Sequence, residues 1–217
     1  MTIPEDFFNS LNTHANVAGL LDKLDTSGVT ELITADVLSG IPVLHQIATL
    51  VKVGQNVQAH YYAKRMLTFL TQIESVSDED KEAFLKKQDK KPKRQEKDGE
   101  IALQILDKLD SIQQAGMLGK AFRFLLRDRS DEASIAFNRH AHVIKNMNTY
   151  LTFQLTTHYA SGAEQSSDPD ACSVLAGYGL LSALYIPTLE GAPIQIIYNK
   201  NEFGDFFYKN FVAEITA

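Results

Sequence analysis

The stretch IPVLHQIATLVKVGQNVQAHYYAKRMLTFLTQI, Ile41 to Ile73, is the longest mostly apolar, helix-permissive run in the chain, and its reading decides the fold. From Val57 onward, Val57, Tyr61, Tyr62, Met66, Leu67, Phe69, Leu70 and Ile73 recur at three- and four-residue steps. That spacing predicts a helix that buries one broad stripe and leaves Gln58, Lys64, Arg65 and Gln72 in water. The upstream half differs: Ile41, Val43, Leu44, Ile47, Ala48, Leu50, Val51 and Val53 lie on nearly every side of a helix, which must then be enclosed by protein or by lipid. Pro42 suits a first helical turn, where its missing N–H is not needed. Ile41 to Val53 is thirteen residues, short of the roughly 20 that cross a bilayer. Two readings of this segment therefore stand: a buried core helix, or a partner-binding or membrane-active segment presenting Ile41, Leu44, Ile47, Leu50 and Val51.

Outward from this stretch the helical grammar continues on both sides. Upstream, Asn16 can cap a helix carrying Val17, Leu20, Leu21 and Leu24, and Gly28 separates it from Val29, Leu32 and Ile33. Downstream, Ser77 with Asp80 three residues later marks the start of a short helix bearing Ala83, Phe84 and Leu85. Ile101, Leu103, Ile105, Leu106 and Leu109 open another, and Gly116 and Gly119 predict a helical hairpin turning near Gln113 to Gly116. Ser130 is a candidate cap for a helix with Ile135, Phe137, Ala141, Ile144 and Met147, whose pattern runs on to Leu155.

From Ser161 the composition changes. SGAEQSSDPD is loop chemistry, with Asp168-Pro169 set as cap and first helical position. The helix that follows should end at Gly179 in a left-handed cap. Leu184 to Thr188 and Ile194 to Tyr198 read as two strands around Leu189 to Pro193, and Asn199 can cap a last helix bearing Phe203, Phe206, Phe207 and Phe211. The expected fold is mainly α: a helical bundle over residues 1–160, then a small winged-helix-like α+β subdomain over 161–217.

Composition narrows the function classes. At 217 residues, 44% hydrophobic and 22% charged, the chain has the make-up of a globular protein with a core. Its formal net charge of −6 opposes indiscriminate attraction to nucleic acid or anionic lipid. The single cysteine, Cys172, excludes an intrachain disulfide and lies in the apolar pattern CSVLAGYG, where a small buried hydrophobe is expected. MTIPEDFFNS has neither the basic start nor the apolar core of a signal peptide, so a cytoplasmic protein is expected.

No motif for chemistry stands out. P-loop, GxSxG, GxGxxG and HExxH patterns are absent. His140 and His142 are two apart, about 200° around a helix, and cannot grip one ion together. Asp107 and Asp110 flank Lys108 at helical spacing, as a solvated face does. The expectation is a non-enzymatic protein with no metal and no cofactor.

One charge run stands apart. KKQDKKPKRQEK, Lys86 to Lys97, holds seven basic residues, two acidic ones and Pro92. It reads as a solvated connector or as an anion- and nucleic-acid-contacting patch centred on Lys90, Lys91, Lys93 and Arg94; the interleaved aromatics of a base-reading surface are missing. The candidate recognition helix DACSVLAGYG carries no Lys or Arg, and the turn LEGAP is acidic.

The order of these features resembles a broad bacterial family of small helical proteins found in accessory and phage-defence gene neighbourhoods. The residues carrying the likeness are IPVLHQIATLVKVG (41–54), YYAKRMLTFLTQI (61–73), VSDEDKEAF (76–84), LQILDKLD (103–110), LGKAFRFLL (118–126), and GLL (179–181) with YNKNEFGDFF (198–207). His45 stands where that pattern carries Gly. The resemblance implies an interaction or regulatory role in antiviral defence and supplies no catalytic residues. Three readings follow: a regulatory protein with a protein partner or a second copy of itself, a membrane-active effector, and a nucleic-acid binder.

Overall fold

A capping box fixes the most deeply enclosed helix among the described residues. In the computed structural model, Ser111 accepts from the Gln114 N–H at 3.1 Å, and the Gln114 amide oxygen accepts from the Ser111 N–H at 2.9 Å. The structure describes residues 3–11, 16–34, 41–44, 51, 56–89, 101–128, 130–160, 168–186 and 194–213. Among them the chain is mainly helical, with a two-stranded antiparallel sheet near its C-terminus.

The elements are α1 (Ile3–Leu11), α2 (Val17–Thr34), a 3₁₀ turn (Pro42–Leu44), α3 (Asn56–Glu74), α4 (Asp78–Asp89), α5 (residues 101–107), α6 (Ile112–Arg127) and α7 (Asp131–Asn146). There follow α8 (Thr149–Ala160), α9 (Pro169–Gly177), β1 (Leu181–Ile186), β2 (Gln195–Lys200), α10 (Glu202–Phe207) and a π-helical turn (Tyr208–Val212). The chain divides into two compact units, Met1–Lys145 and Asn146–Ala217.

In the first unit α6 is the hub. Every residue from Gln114 to Phe122 is buried, so the helix is enclosed on all sides. It packs against α3 and α4, and α3 in turn packs against α2. Gly119 explains how α3 approaches so closely: a Cβ there would stand 2.6 Å from the Phe69 carbonyl oxygen. The expected turn at Gln113 to Gly116 is not where the chain reverses. Residues 108–111 make that turn, because the Ser111–Gln114 box starts α6 before the glycines, and the helix runs unbroken through both of them, each buried.

The register of α3 also corrects the sequence reading in part. Ala59, Ala63, Met66, Leu67, Leu70 and Ile73 are buried, while Val57 and Tyr61 are 70% and 57% exposed. Two alanines let the buried stripe run on toward the N-terminal end of the helix, which turns the larger Val57 and Tyr61 outward. Gly28, at φ 79°, kinks α2 at the predicted break. Asn16 caps α2 through the Gly19 N–H at 2.8 Å, Ser77 caps α4 through Asp80 at 3.2 Å, and Ser130 caps α7 through Ala133 at 3.0 Å.

Gln114 has a second task. Buried itself, it donates to the carbonyls of Ile144 and Lys145 at 3.0 and 3.1 Å. Those are carbonyls of the last turn of α7, which lack partners within the helix.

Near the start of the second unit Asn148 interrupts the helical pattern, capping α8 through the Leu151 N–H at 2.8 Å. Asp168 caps α9 with Pro169 in its first turn. The helix closes with Gly179 at φ 77°, its N–H bonded to Ala176 and that of Leu180 to Leu175, a Schellman end. In the hairpin Leu181 pairs with Lys200, Ser182 with Asn199, Leu184 with Ile197 and Ile186 with Gln195. Asn199 is therefore a strand residue, and Asn201 caps α10, accepting from Gly204 at 2.7 Å.

Tyr159 of α8 holds this unit together. Its hydroxyl donates to the Leu180 carbonyl at 2.8 Å and accepts from the Asn201 N–H at 3.3 Å, and its ring stacks on Tyr208 at 5.4 Å. Gly204 is required beside it, since a Cβ would fall 1.9 Å from the Leu180 oxygen and 2.1 Å from the Tyr159 hydroxyl.

Candidate functional surfaces

Two features of the described surface exceed what the fold needs. The first is the hairpin. Alternation along paired strands sends Leu184 and Ile197 to one face and Tyr185 and Ile196 to the other. A two-stranded sheet in water ordinarily needs one face covered. Here apolar side chains are open on both faces: Leu184 is 54% exposed, Tyr185 64% and Ile194 69%, with Ile196 and Ile197 also exposed. Clustered apolar exposure of this kind marks contact surfaces.

The charge of this unit restricts what it can meet. Residues 146–217 hold two lysines, no arginine and seven carboxylates. Both lysines are engaged: Lys200 donates to the Tyr159 carbonyl at 3.1 Å and lies 5.6 Å from the Tyr159 ring centroid, and Lys209 pairs with Asp205 at 2.6 Å. Neither is held out for a phosphate. On the N-terminal side, Tyr150 donates to the Asp168 carboxylate. That bond raises the Tyr150 phenol and lowers the Asp168 carboxyl relative to their ordinary ranges.

The second feature is an open cleft of about 740 Å³ in the first unit, between α3 and the turn after α5. From α3 come Val57, Tyr61, Tyr62 and Arg65, from the end of α5 Asp107, and from the turn Leu109 and Asp110. Arg65 braces the two walls, donating from Nη1 to the Leu109 carbonyl, while its Nε is buried without a hydrogen-bond partner. Tyr62 is pushed up to about 12, first by burial and then by the Asp107 charge, against an opposing effect of Arg65. Its phenol therefore stays protonated across the physiological range. Asp107 and Asp110 are exposed, and neither forms an ion pair among the described residues.

The residues singled out from sequence fall elsewhere. Ile41 and Leu44 are fully buried in the first unit, the turn at Pro42–Leu44 packing against α1. Val51 is half-buried. Ile47 and Leu50, and the basic residues Lys90, Lys91, Lys93 and Arg94, lie outside the described residues. Cys172 is buried, as expected from its apolar helix. His140 is half-buried and His142 exposed, and no cluster of metal-ligating side chains occurs among the described residues. No described helix is long and apolar enough to cross a membrane.

Sequence reading passed over the cleft because its walls are far apart in the chain. The Tyr61-Tyr62 pair with Arg65 one turn on was the available signal, and Asp107 and Asp110 looked like an ordinary solvated face. The arrangement as a whole is that of a mainly helical protein with an open apolar hairpin and a tyrosine-walled cleft. Compared with protein-family models, curated proteins and solved structures, the chain has no match.

Proposed function

We propose that this is a non-enzymatic interaction or regulatory protein, with a winged-helix-like second unit that engages a protein partner through its hairpin. The observation carrying the reading is the pair of open apolar faces formed by Leu184 with Ile197 and Tyr185 with Ile196. Covering them would remove apolar area from water at about 25 cal/mol per Å². The acidic balance of residues 146–217 favours a neutral or basic protein surface over nucleic acid. α9 supports the same choice, for its exposed residues Pro169, Asp170, Ser173, Val174 and Gly177 offer a phosphate no cation. A place in antiviral defence is part of the proposal and rests on the sequence resemblance alone.

The test is native mass spectrometry of the protein purified gently from its own host, beside a Leu184→Ser, Ile197→Ser variant. Leu184 is 54% and Ile197 36% exposed, and a circular dichroism spectrum matching the wild type establishes that the variant keeps its fold. A polypeptide attached in fixed ratio to the wild type and lost from the variant is the expected result. A bare single chain, an attached oligonucleotide, or a partner retained by the variant would overturn the proposal.

A further inference from the structure

The hairpin leaves the cleft of the first unit unexplained. Its volume of about 740 Å³ is in the range of sites for small organic molecules, roughly 300–1,000 Å³. Apolar and polar groups converge there in a definite pattern. Val57 and Tyr61 are large side chains held open to solvent, which α3 could have kept as alanine at no loss to the core. Asp107 and Asp110 bring two carboxylates to the opposite wall. Among the described residues lining the cleft the one cation is Arg65, its guanidinium committed to the Leu109 carbonyl and half withdrawn from water.

We infer that this cleft binds a small aromatic amine, its ring lying against Tyr61 and Val57 and its ammonium group held by Asp107 and Asp110. Sign and shape both follow from the lining. Two carboxylates against one engaged guanidinium leave a negative site, which attracts a cation and repels a carboxylate. A tyrosine face adds attraction for the cation and a flat surface for a ring. The Tyr62 hydroxyl, kept protonated, supplies a hydrogen-bond donor at the same place. An aliphatic amine would satisfy the charge and leave the exposed aromatic surface wet; an aromatic acid would do the reverse.

The experiment is isothermal titration of the full chain with three probes: tryptamine, indole-3-acetate, which has the same ring and the opposite charge, and propylamine, which has the charge without the ring. Tryptamine should bind with a Kd under about 1 mM, and the other two at least about tenfold more weakly. Asp107→Asn combined with Asp110→Asn should weaken tryptamine by about tenfold or more. Tyr61→Ala should weaken tryptamine by a larger factor than propylamine, which loses only the attraction of the ring face for its charge. These side chains are exposed, so none of the changes removes core packing. No heat with tryptamine, equal binding of indole-3-acetate or propylamine, or indifference to the double substitution would each overturn the inference. None of these outcomes bears on the hairpin reading.

Discussion

The ring of Phe122 meets that of Phe137 edge to face, with centroids 5.4 Å apart and planes at 77°. The same ring lies 5.8 Å from Phe7, 5.6 Å from Phe69 and 6.0 Å from Phe84. One side chain of α6 thus joins α1, α3, α4 and α7, and all five rings are fully buried or nearly so. Aromatic pairs in such geometry contribute about 0.5–1.5 kcal/mol beyond the area they bury.

Phe122→Ala should therefore lower stability by about 3–5 kcal/mol, the range for loss of a buried aromatic. Ile135→Ala is the control. Ile135 belongs to the apolar pattern of the same helix as Phe137, yet it is 71% exposed, and its removal should change stability by no more than about 0.5 kcal/mol. Urea unfolding followed by far-ultraviolet circular dichroism measures both, and similar midpoints for the two variants would contradict the central place given to Phe122.

Gly204→Ala should be severely destabilising, because the added methyl must displace either the Leu180 carbonyl or the Tyr159 hydroxyl. Gly177→Ala meets nothing within 4 Å and has no positive φ. It should be neutral or stabilise by up to about 1 kcal/mol. The comparison separates close approach from helix propensity, since both glycines are helical. Thermal melts of the two variants should move in opposite directions or differ widely.

These contrasts show which parts of the fold the sequence made legible. Caps at Asn16, Ser77, Ser130 and Asp168, the kink at Gly28 and the helix end at Gly179 are local, and each bond reaches only a few residues. The turn after α5 was hidden because Gly116 and Gly119 look like breakers, and only the distant Phe69 carbonyl explains why Gly119 belongs inside a helix. Asn199 and Asn201 are equally good caps by residue type, and strand register alone decides between them. The cleft was beyond reach for the same reason: Arg65 and Leu109 are 44 residues apart.

Tyr159→Phe should keep the stack on Tyr208 while removing a hydroxyl that serves two backbone groups. Leaving the Leu180 carbonyl without its donor should lower stability by about 1–3 kcal/mol. Amide hydrogen exchange gives a sharper readout. The Asn201 N–H should lose protection in the variant, whereas an amide in the first unit such as Gln114 keeps its partner and should exchange as before. Uniform loss across both units would mean that the hydroxyl acts on global stability alone.

His140 gives the protein a defined response to acid. Burial, and secondly the neighbouring Arg139 charge, lower this imidazole from about 6.5 to about 4. Between those values the unfolded chain takes up a proton that the folded chain refuses, so stability rises with pH across the window. The contribution is fully present above about pH 6.5 and is lost as pH falls toward 4. Its size is on the order of 1–3 kcal/mol. His140→Gln should flatten this part of the profile, so that the wild-type minus variant difference changes between pH 6.5 and 4 and is constant above. Because burial is the larger cause, raising salt should alter that difference little; Arg139 is exposed and its share alone is screened. Urea midpoints at half-unit pH steps measure it, and parallel profiles for the two proteins would place the acid response on other groups.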